Sequence, residues 1–154
     1  MKKVLVSAVL VLASFSFASA QQNALGIKFG DGGDISYQRY LGGSERQRAE
    51  FNVGISSFSF DEFTVNGLYQ WVFGLSAITD GLKWHAGIGA GAVFNTDFDF
   101  GLNALANVGI EYNFPGFPLQ LALDWTPAVL HIVPEFGGGT LNHNTIRFAA
   151  RIRF

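Results

Sequence analysis

The 154-residue chain has no cysteine, 4 prolines and 1 methionine, and only 14% of its residues are charged. Without cysteine it has no disulfides, so packing and hydrogen bonding must supply its stability. So little charge excludes an intrinsically disordered chain, a coiled coil and a nucleic-acid-binding arm. After Ala20 no apolar run is long enough for a membrane-crossing helix. What is abundant is phenylalanine (16) and glycine (19), within a chain that is 49% hydrophobic and 15% aromatic. Aromatic and glycine enrichment with few charges points to β architecture, with more apolar residues than a soluble sandwich carries. The length fits one domain.

The N-terminus accounts for part of that excess. Lys2 and Lys3 precede an apolar run from Val4 to Ala13, and a Ser/Phe/Ala stretch closes on Ala18-Ser19-Ala20. A charged start, an apolar stretch too short to span a bilayer and a small-residue end form the pattern of a secretory signal. The expectation is a signal peptide over residues 1–20, cleaved after Ala20, and a barrel domain over 21–154. The alternative, a membrane-anchoring helix, is disfavoured because no stop-transfer pattern follows.

From Gln21 onward, runs of about ten residues alternate between apolar and polar or small, each closed by Gly, Asp, Asn or Pro. Leu25, Ile27 and Phe29 alternate with Gly26, Lys28 and Gly30, and Ile35 and Tyr37 with Ser36 and Gln38. Phe51, Val53 and Ile55 oppose Glu50, Asn52 and Gly54, while Tyr69, Trp71 and Phe73 oppose Gln70 and Gly74. In the second half, Trp84, Ile88 and Ala90 face away from His85, Gly87, Gly89 and Gly91. Val108 and Ile110 face away from Asn107, Gly109 and Glu111, and Leu121 and Leu123 from Gln120, Ala122 and Asp124. The last run sets Ile146, Phe148, Ala150, Ile152 and Phe154 against Arg147, Ala149, Arg151 and Arg153. Eight alternating segments predict an all-β, eight-stranded antiparallel up-and-down barrel.

Alternation gives every strand two faces without saying which is inward. Volume and charge decide. An eight-stranded barrel is just wide enough to be filled by side chains. The bulky rows would overfill it, whereas the small and polar set fits. Burying so many charges in a soluble core, with Trp and Phe facing water, is also energetically untenable. The apolar face is therefore expected to meet lipid, which makes the barrel transmembrane. A charge census tests this. Once Lys2 and Lys3 are removed, 8 of the 10 basic residues remain against 12 acidic ones. Nine fall on the lumen face: Lys28, Arg48, Glu50, Lys83, Glu111, Asp124, Arg147, Arg151 and Arg153. Ten fall in connections, and only Arg39 falls on the lipid face, near a strand end where it can snorkel.

The stretches Ile35-Ser36-Tyr37-Gln38, Gly67-Leu68-Tyr69-Gln70-Trp71, Trp84-His85-Ala86-Gly87-Ile88-Gly89, Val108-Gly109-Ile110-Glu111-Tyr112-Asn113 and Arg151-Ile152-Arg153-Phe154 carry a resemblance. The chain resembles the small eight-stranded outer-membrane β-barrel proteins of Gram-negative bacteria, in the OmpX/OmpA-barrel style. The resemblance covers the whole chain after Ala20. It implies a fold, an outer-membrane location and lipid as surroundings, and brings no assigned activity. A terminal Phe154 on an alternating last strand is similar to the signal read by the barrel assembly machinery, which is the partner implied during insertion.

Candidate chemistry is sparse. Outer loops are expected near residues 31–34, 58–62, 95–100 and 127–144, and periplasmic turns near 42–47, 77–82 and 114–118. The loops hold Asp31, Asp34, Asp61, Glu62, Asp97, Asp99 and Glu135 with no Lys or Arg. Such a rim can concentrate cations or bind Ca²⁺ or Mg²⁺ weakly, against the blander reading of solvated loop charge. The lumen charges, joined by His85, are expected to form an ion-pair network that fills the barrel, with a proton or ion path as the alternative. The Gly87, Gly89 and Gly91 row is expected to make room for long Arg or Tyr side chains. Phe58, Phe60, Phe63, Phe98 and Phe100 suggest an outer aromatic girdle, and Phe114 and Phe117 an inner one.

Catalysis would need a nucleophile beside a histidine oriented by a carboxylate. His131, His143, Asp124, Glu135, Thr140 and Thr145 are the available residues, and they lack the arrangement. No enzyme activity, cofactor, metal centre or nucleic-acid partner is expected, and a monomer is the simplest oligomeric state. The expected role is structural or a binding role at the outer loops, without a pore of appreciable size. The alternatives are a small transporter passing apolar solutes through the barrel wall and a secreted soluble lipocalin-like barrel. The apolar 127–144 segment is expected to extend strands, act as a lid or dock a partner.

Overall fold

The computed structural model describes residues 22–55, 62–95, 100–132 and 144–154. Eight strands follow in order: β1 (Asn23–Phe29), β2 (Gly33–Tyr40), β3 (Gln47–Ile55), β4 (Glu62–Gly74), β5 (Leu82–Asn95), β6 (Phe100–Asn113), β7 (Leu119–Ile132) and β8 (Asn144–Arg153). Each pairs antiparallel with its sequence neighbours, and β1 also pairs with β8, which closes the barrel. At the closing seam Asn23 N donates to Phe154 O at 3.0 Å, and Phe154 N donates to Asn23 O at 2.9 Å. Closure removes both free sheet edges. Residues 1–20, the expected signal, lie outside the described residues. Among the described residues no helix is long and apolar enough to cross a membrane, which says nothing about strands.

One end of the barrel carries the tight connections 41–46, 75–81 and 114–118 together with the start of β1 and the end of β8, and is called the turn end. Gly42, Gly81 and Gly116 have φ of 73°, 86° and 77°, left-handed values that favour glycine. The opposite, loop end differs from expectation in two places. The β1–β2 hairpin is tighter than a 31–34 loop, so Asp34 is a strand residue. Residues 127–132 continue β7 and Asn144 opens β8 opposite Pro127, while 133–143 lie outside the described residues, so the strand-extension reading is met at both ends of the 127–144 segment. Pro127, which has no N–H for the ladder, sits in that extension. The register with β6 shifts between Ala104 and Leu105, where Ala104 faces Leu130 and Leu105 faces Ala128. Val129 is the extra residue, and it and Leu130 are both exposed, as a β-bulge requires.

The burial pattern runs opposite to that of a soluble core. The largest fully buried side chains are led by Arg48, Arg151, His85 and Gln70, followed by Gln120, Glu50, Glu111 and Asp124. The most exposed strand residues include Ile35 at 63%, Ile146 at 63% and Ile88 at 60%. The interior is not wholly polar, since Leu68, Val72, Leu105 and Tyr40 also point inward. They occupy the inward parity of β2, β4 and β6, and parity rather than side-chain type sets the face.

Candidate functional site in the barrel interior

Alternate residues of six strands meet across the middle of the lumen. β1 contributes Lys28, β3 Arg48 and Glu50, β5 His85, β6 Glu111, β7 Asp124 and β8 Arg151. Lys28 Nζ lies 2.7 Å from Glu50 Oε1 and 2.8 Å from Asp124 Oδ2. Arg48 Nη1 lies 2.5 Å from Glu111 Oε2. His85 stands between two carboxylates, with Nε2 2.8 Å from Asp124 Oδ1 and Nδ1 3.4 Å from Glu111 Oε2. Arg151 Nη2 is 3.4 Å from Glu50 Oε1 and 3.6 Å from Asp124 Oδ2. Lys28, Arg48 and Arg151 thus balance Glu50, Glu111 and Asp124, and His85 joins the two halves.

Neutral polar side chains complete the layer. Gln38 Nε2 donates to Glu50 Oε2 at 2.7 Å, and Arg48 Nε donates to Gln70 Oε1 at 2.5 Å. Gln70 Nε2 reaches Asn107 Oδ1 at 2.7 Å, and Asn107 Nδ2 reaches Thr126 Oγ1 at 2.9 Å. Arg151 Nε donates to Ser36 Oγ at 2.9 Å and Nη1 to Gln120 Oε1 at 3.1 Å. A buried charge is tolerable only with partners of this kind. Chemically the layer is a cross-linked plug. It holds no nucleophile beside His85 and leaves the middle of the lumen filled by side chains.

Two smaller charged groups flank it. At the loop end Arg147 Nε lies 3.3 Å from Asp31 Oδ1, and Arg147 Nη1 contacts Asp34 Oδ2. Asp31 and Asp34 therefore belong to an ion-pair cluster with Arg147, and Asp34 is buried within the wall. Asp124 and Arg147 are register partners on β7 and β8, yet their side chains part. Arg147 extends to the β1–β2 hairpin, while Asp124 turns to Lys28, His85 and Arg151. At the turn end Lys83 pairs with Glu45 from the β2–β3 connection, and Arg153 lines a shallow recess with Asp80 and Asn113.

Of the expected rim, Glu62 opens β4 at intermediate exposure, and Asp61, Asp97, Asp99 and Glu135 lie outside the described residues. Among the described residues no three His, Asp or Glu side chains gather as a metal would require. Arg39 points outward. His143, Glu135 and Thr140 lie outside the described residues, as do the side chains of His131 and Thr145, while Asp124 is committed to the plug. Phe63 is exposed on β4; Phe58, Phe60, Phe98 and the Phe100 side chain lie outside the described residues. The turn end carries more aromatics than Phe114 and Phe117 alone. Phe73 stacks on Trp84 at 4.4 Å between centroids, Tyr69 meets Trp71 edge-on at 5.1 Å, and Tyr112 meets Phe114 at 4.8 Å.

The glycine row corrects one expectation. Gly87, Gly89 and Gly91 lie against Gln70, Leu68 and Asn66 of β4, not against long Arg or Tyr side chains. The reason is register: direct neighbours on β4, rather than residues across the barrel, crowd β5. Gly109 was not singled out from the sequence, yet it bears directly on the plug. A Cβ there would stand 2.5 Å from Asp124 Oδ1 and 2.6 Å from His85 Nε2. Its signal was a glycine on the inward parity of β6 among polar residues.

The chain matches no family model, no curated protein and no solved structure. The closed barrel therefore defines an architecture without identifying a family.

Proposed function

We propose that the protein is an integral outer-membrane β-barrel of a Gram-negative bacterium, exported by its N-terminal signal. Its role is structural or a binding role at the loop end, without a solute pore of appreciable size. The observation that carries this reading is the inverted burial, with Arg48, Glu50, His85 and Arg151 enclosed while Ile27, Ile35, Phe51, Ile88 and Ile146 are exposed. In water that arrangement exposes far more contiguous apolar surface than soluble monomers carry, whereas lipid is its natural solvent. The aromatic pairs at the turn end suit a membrane–water interface, where amphipathic rings accumulate. Outer-membrane lipid is then the permanent partner and the barrel assembly machinery the transient one.

The plug argues against a transporter for apolar solutes, because its ion-paired side chains lie across the lumen and present charge where an apolar solute would pass. A lipocalin-like soluble barrel would need its apolar rows inside. Fractionation of cells expressing the whole chain tests the proposal. Recovery in washed outer membranes, with extraction only by detergent and a heat-dependent shift on electrophoresis, is expected. Recovery in the periplasmic fluid without detergent would refute it.

A further inference from the structure

The barrel wall is not of even height. β1 and β2 have 7 and 8 residues and are joined by residues 30–32. β5 and β6, on the opposite side of the ring, have 14 each. At the turn end the strands set out level, because backbone hydrogen bonds join neighbouring termini there: Leu41 to Gln47, Leu75 to Leu82, Phe114 to Leu119 and Asn23 to Phe154. The difference therefore falls at the loop end. Strands rise about 3.4 Å per residue and tilt about 35–45° in membrane barrels, so β1 and β2 reach roughly 15–20 Å along the axis and β5 and β6 roughly 35 Å. The apolar band of an outer-membrane barrel is about 25 Å tall. The β1–β2 side stops short of it.

What stands at the top of that side is polar. Gly30, Asp31 and Gly32 make the hairpin turn, where Gly30 N donates to Gly32 O at 3.1 Å. Asp31 is half exposed and pairs with Arg147. Turns and charges open to lipid do not occur within hydrocarbon, because their polar groups have no water there. Near the turn end the outward residue of β2 is Arg39. Between these polar limits the outward face of the hairpin offers only Leu25, Ile27, Phe29, Ile35 and Tyr37.

A wall shorter than the bilayer is accommodated by thinning of the lipid or by a covering protein. Charge decides between them. A second copy on this face would bury Arg39, and among the described residues no Asp or Glu points outward on β1, β2 or β3. An unpaired buried charge of that kind is strongly unfavourable. Lipid phosphates supply the counter-charge, and water drawn down to the hairpin solvates Asp31.

We propose that the barrel thins the membrane locally along β1–β2, bringing the lipid headgroups of the loop-end leaflet down to the hairpin at Asp31. The proposal rests on the outer-membrane reading above and adds where around the wall the lipid is deformed.

The chain has no cysteine, so a single spin label can be placed through Phe29→Cys or Ile88→Cys. Each position is the seventh residue of a strand that leaves the turn end, and both are exposed. A bilayer of even thickness treats them alike. The labelled chain after Ala20, which holds all eight strands, is inserted into dioleoylphosphatidylcholine vesicles. Collision with a water-soluble nickel chelate is compared with collision with oxygen, which concentrates in hydrocarbon. The nickel-to-oxygen ratio should be about threefold or more higher at Phe29 than at Ile88. A label at Ile35→Cys on the same hairpin should follow Phe29, and replaces it if Phe29→Cys does not fold. Equal, oxygen-dominated ratios on both sides overturn the thinning and leave the membrane reading standing. A hairpin label shielded from both reagents means that protein covers this face, which overturns it as well. Nickel-dominated collision at Ile88 too would place neither label in lipid, and the membrane reading would fall with the proposal.

Discussion

His85 Nε2 and Asp124 Oδ1 meet at 2.8 Å beside Gly109, whose missing side chain leaves the space they occupy. The contact links β5 and β7 across the inward face of β6, and the same imidazole reaches Glu111 on β6. Three strands are thereby tied through one ring. Gly109→Ala should break this arrangement, because the new Cβ has no room and the backbone of a closed barrel cannot retreat far. Overpacking of this kind costs about 1–3 kcal/mol. Urea unfolding in lipid vesicles should show that loss, and an unchanged midpoint would mean that the contact carries no weight.

Lys28 is held at close range by Glu50 and Asp124 together. Lys28→Met removes it and leaves Glu50 and Asp124 to share Arg151, whose Nη2 lies farther from them, at 3.4 and 3.6 Å. Removing one member of a buried pair costs about 3–5 kcal/mol, mostly through the charge left behind. The double variant Lys28→Met with Asp124→Leu should recover part of that loss. A double-mutant cycle on unfolding free energies measures it, and strict additivity would show that the two groups do not interact.

Lys83 and Glu45 offer the contrasting case. Glu45 is half exposed at the turn end, where water and salt screen the pair. Lys83→Ala should therefore cost no more than about 1 kcal/mol. Its effect should shrink further in high salt, while that of Lys28→Met should not. If both variants respond to salt alike, the division into a buried plug and a solvated mouth is wrong.

The sequence made some of this legible and concealed the rest, for physical reasons. A strand has a period of 2, so the inward placement of Glu50, His85, Glu111 and Asp124 follows from position alone. Which charges then touch depends on register, shear and side-chain length. Asp124 and Arg147 are register neighbours that go separate ways, and no pattern in the sequence says so. Leu68, Val72 and Leu105 share inward parity with the charges, and their apolar character hid their placement. The tight hairpin that moves Asp34 into β2 is a matter of one or two residues at a strand boundary, where local composition discriminates least.

Phe154 exchanges two backbone hydrogen bonds with Asn23 at the seam, and those bonds do not depend on its ring. Phe154→Ala should therefore leave the two seam hydrogen bonds in place and the assembled barrel closed. If the ring serves as the assembly signal, the yield of membrane-inserted protein should fall several-fold while refolding of purified protein into detergent is unaffected. Equal loss in both measurements would assign the ring to stability instead.

Ile88 and Phe117 are almost equally exposed, at 60% and 58%, but differ in position. Ile88 lies midway along β5, and Phe117 lies in the 114–118 connection at the turn end. In water an arginine at either place is nearly neutral, since each side chain already faces solvent. In a bilayer the two diverge: a basic side chain at the midplane costs roughly 2–4 kcal/mol, and one near the interface roughly 0–1 kcal/mol. Ile88→Arg should accordingly destabilise the barrel in lipid vesicles by several times more than Phe117→Arg. Equal and small effects in vesicles would mean that the exposed apolar face does not meet lipid, and the inverted burial would then need another explanation.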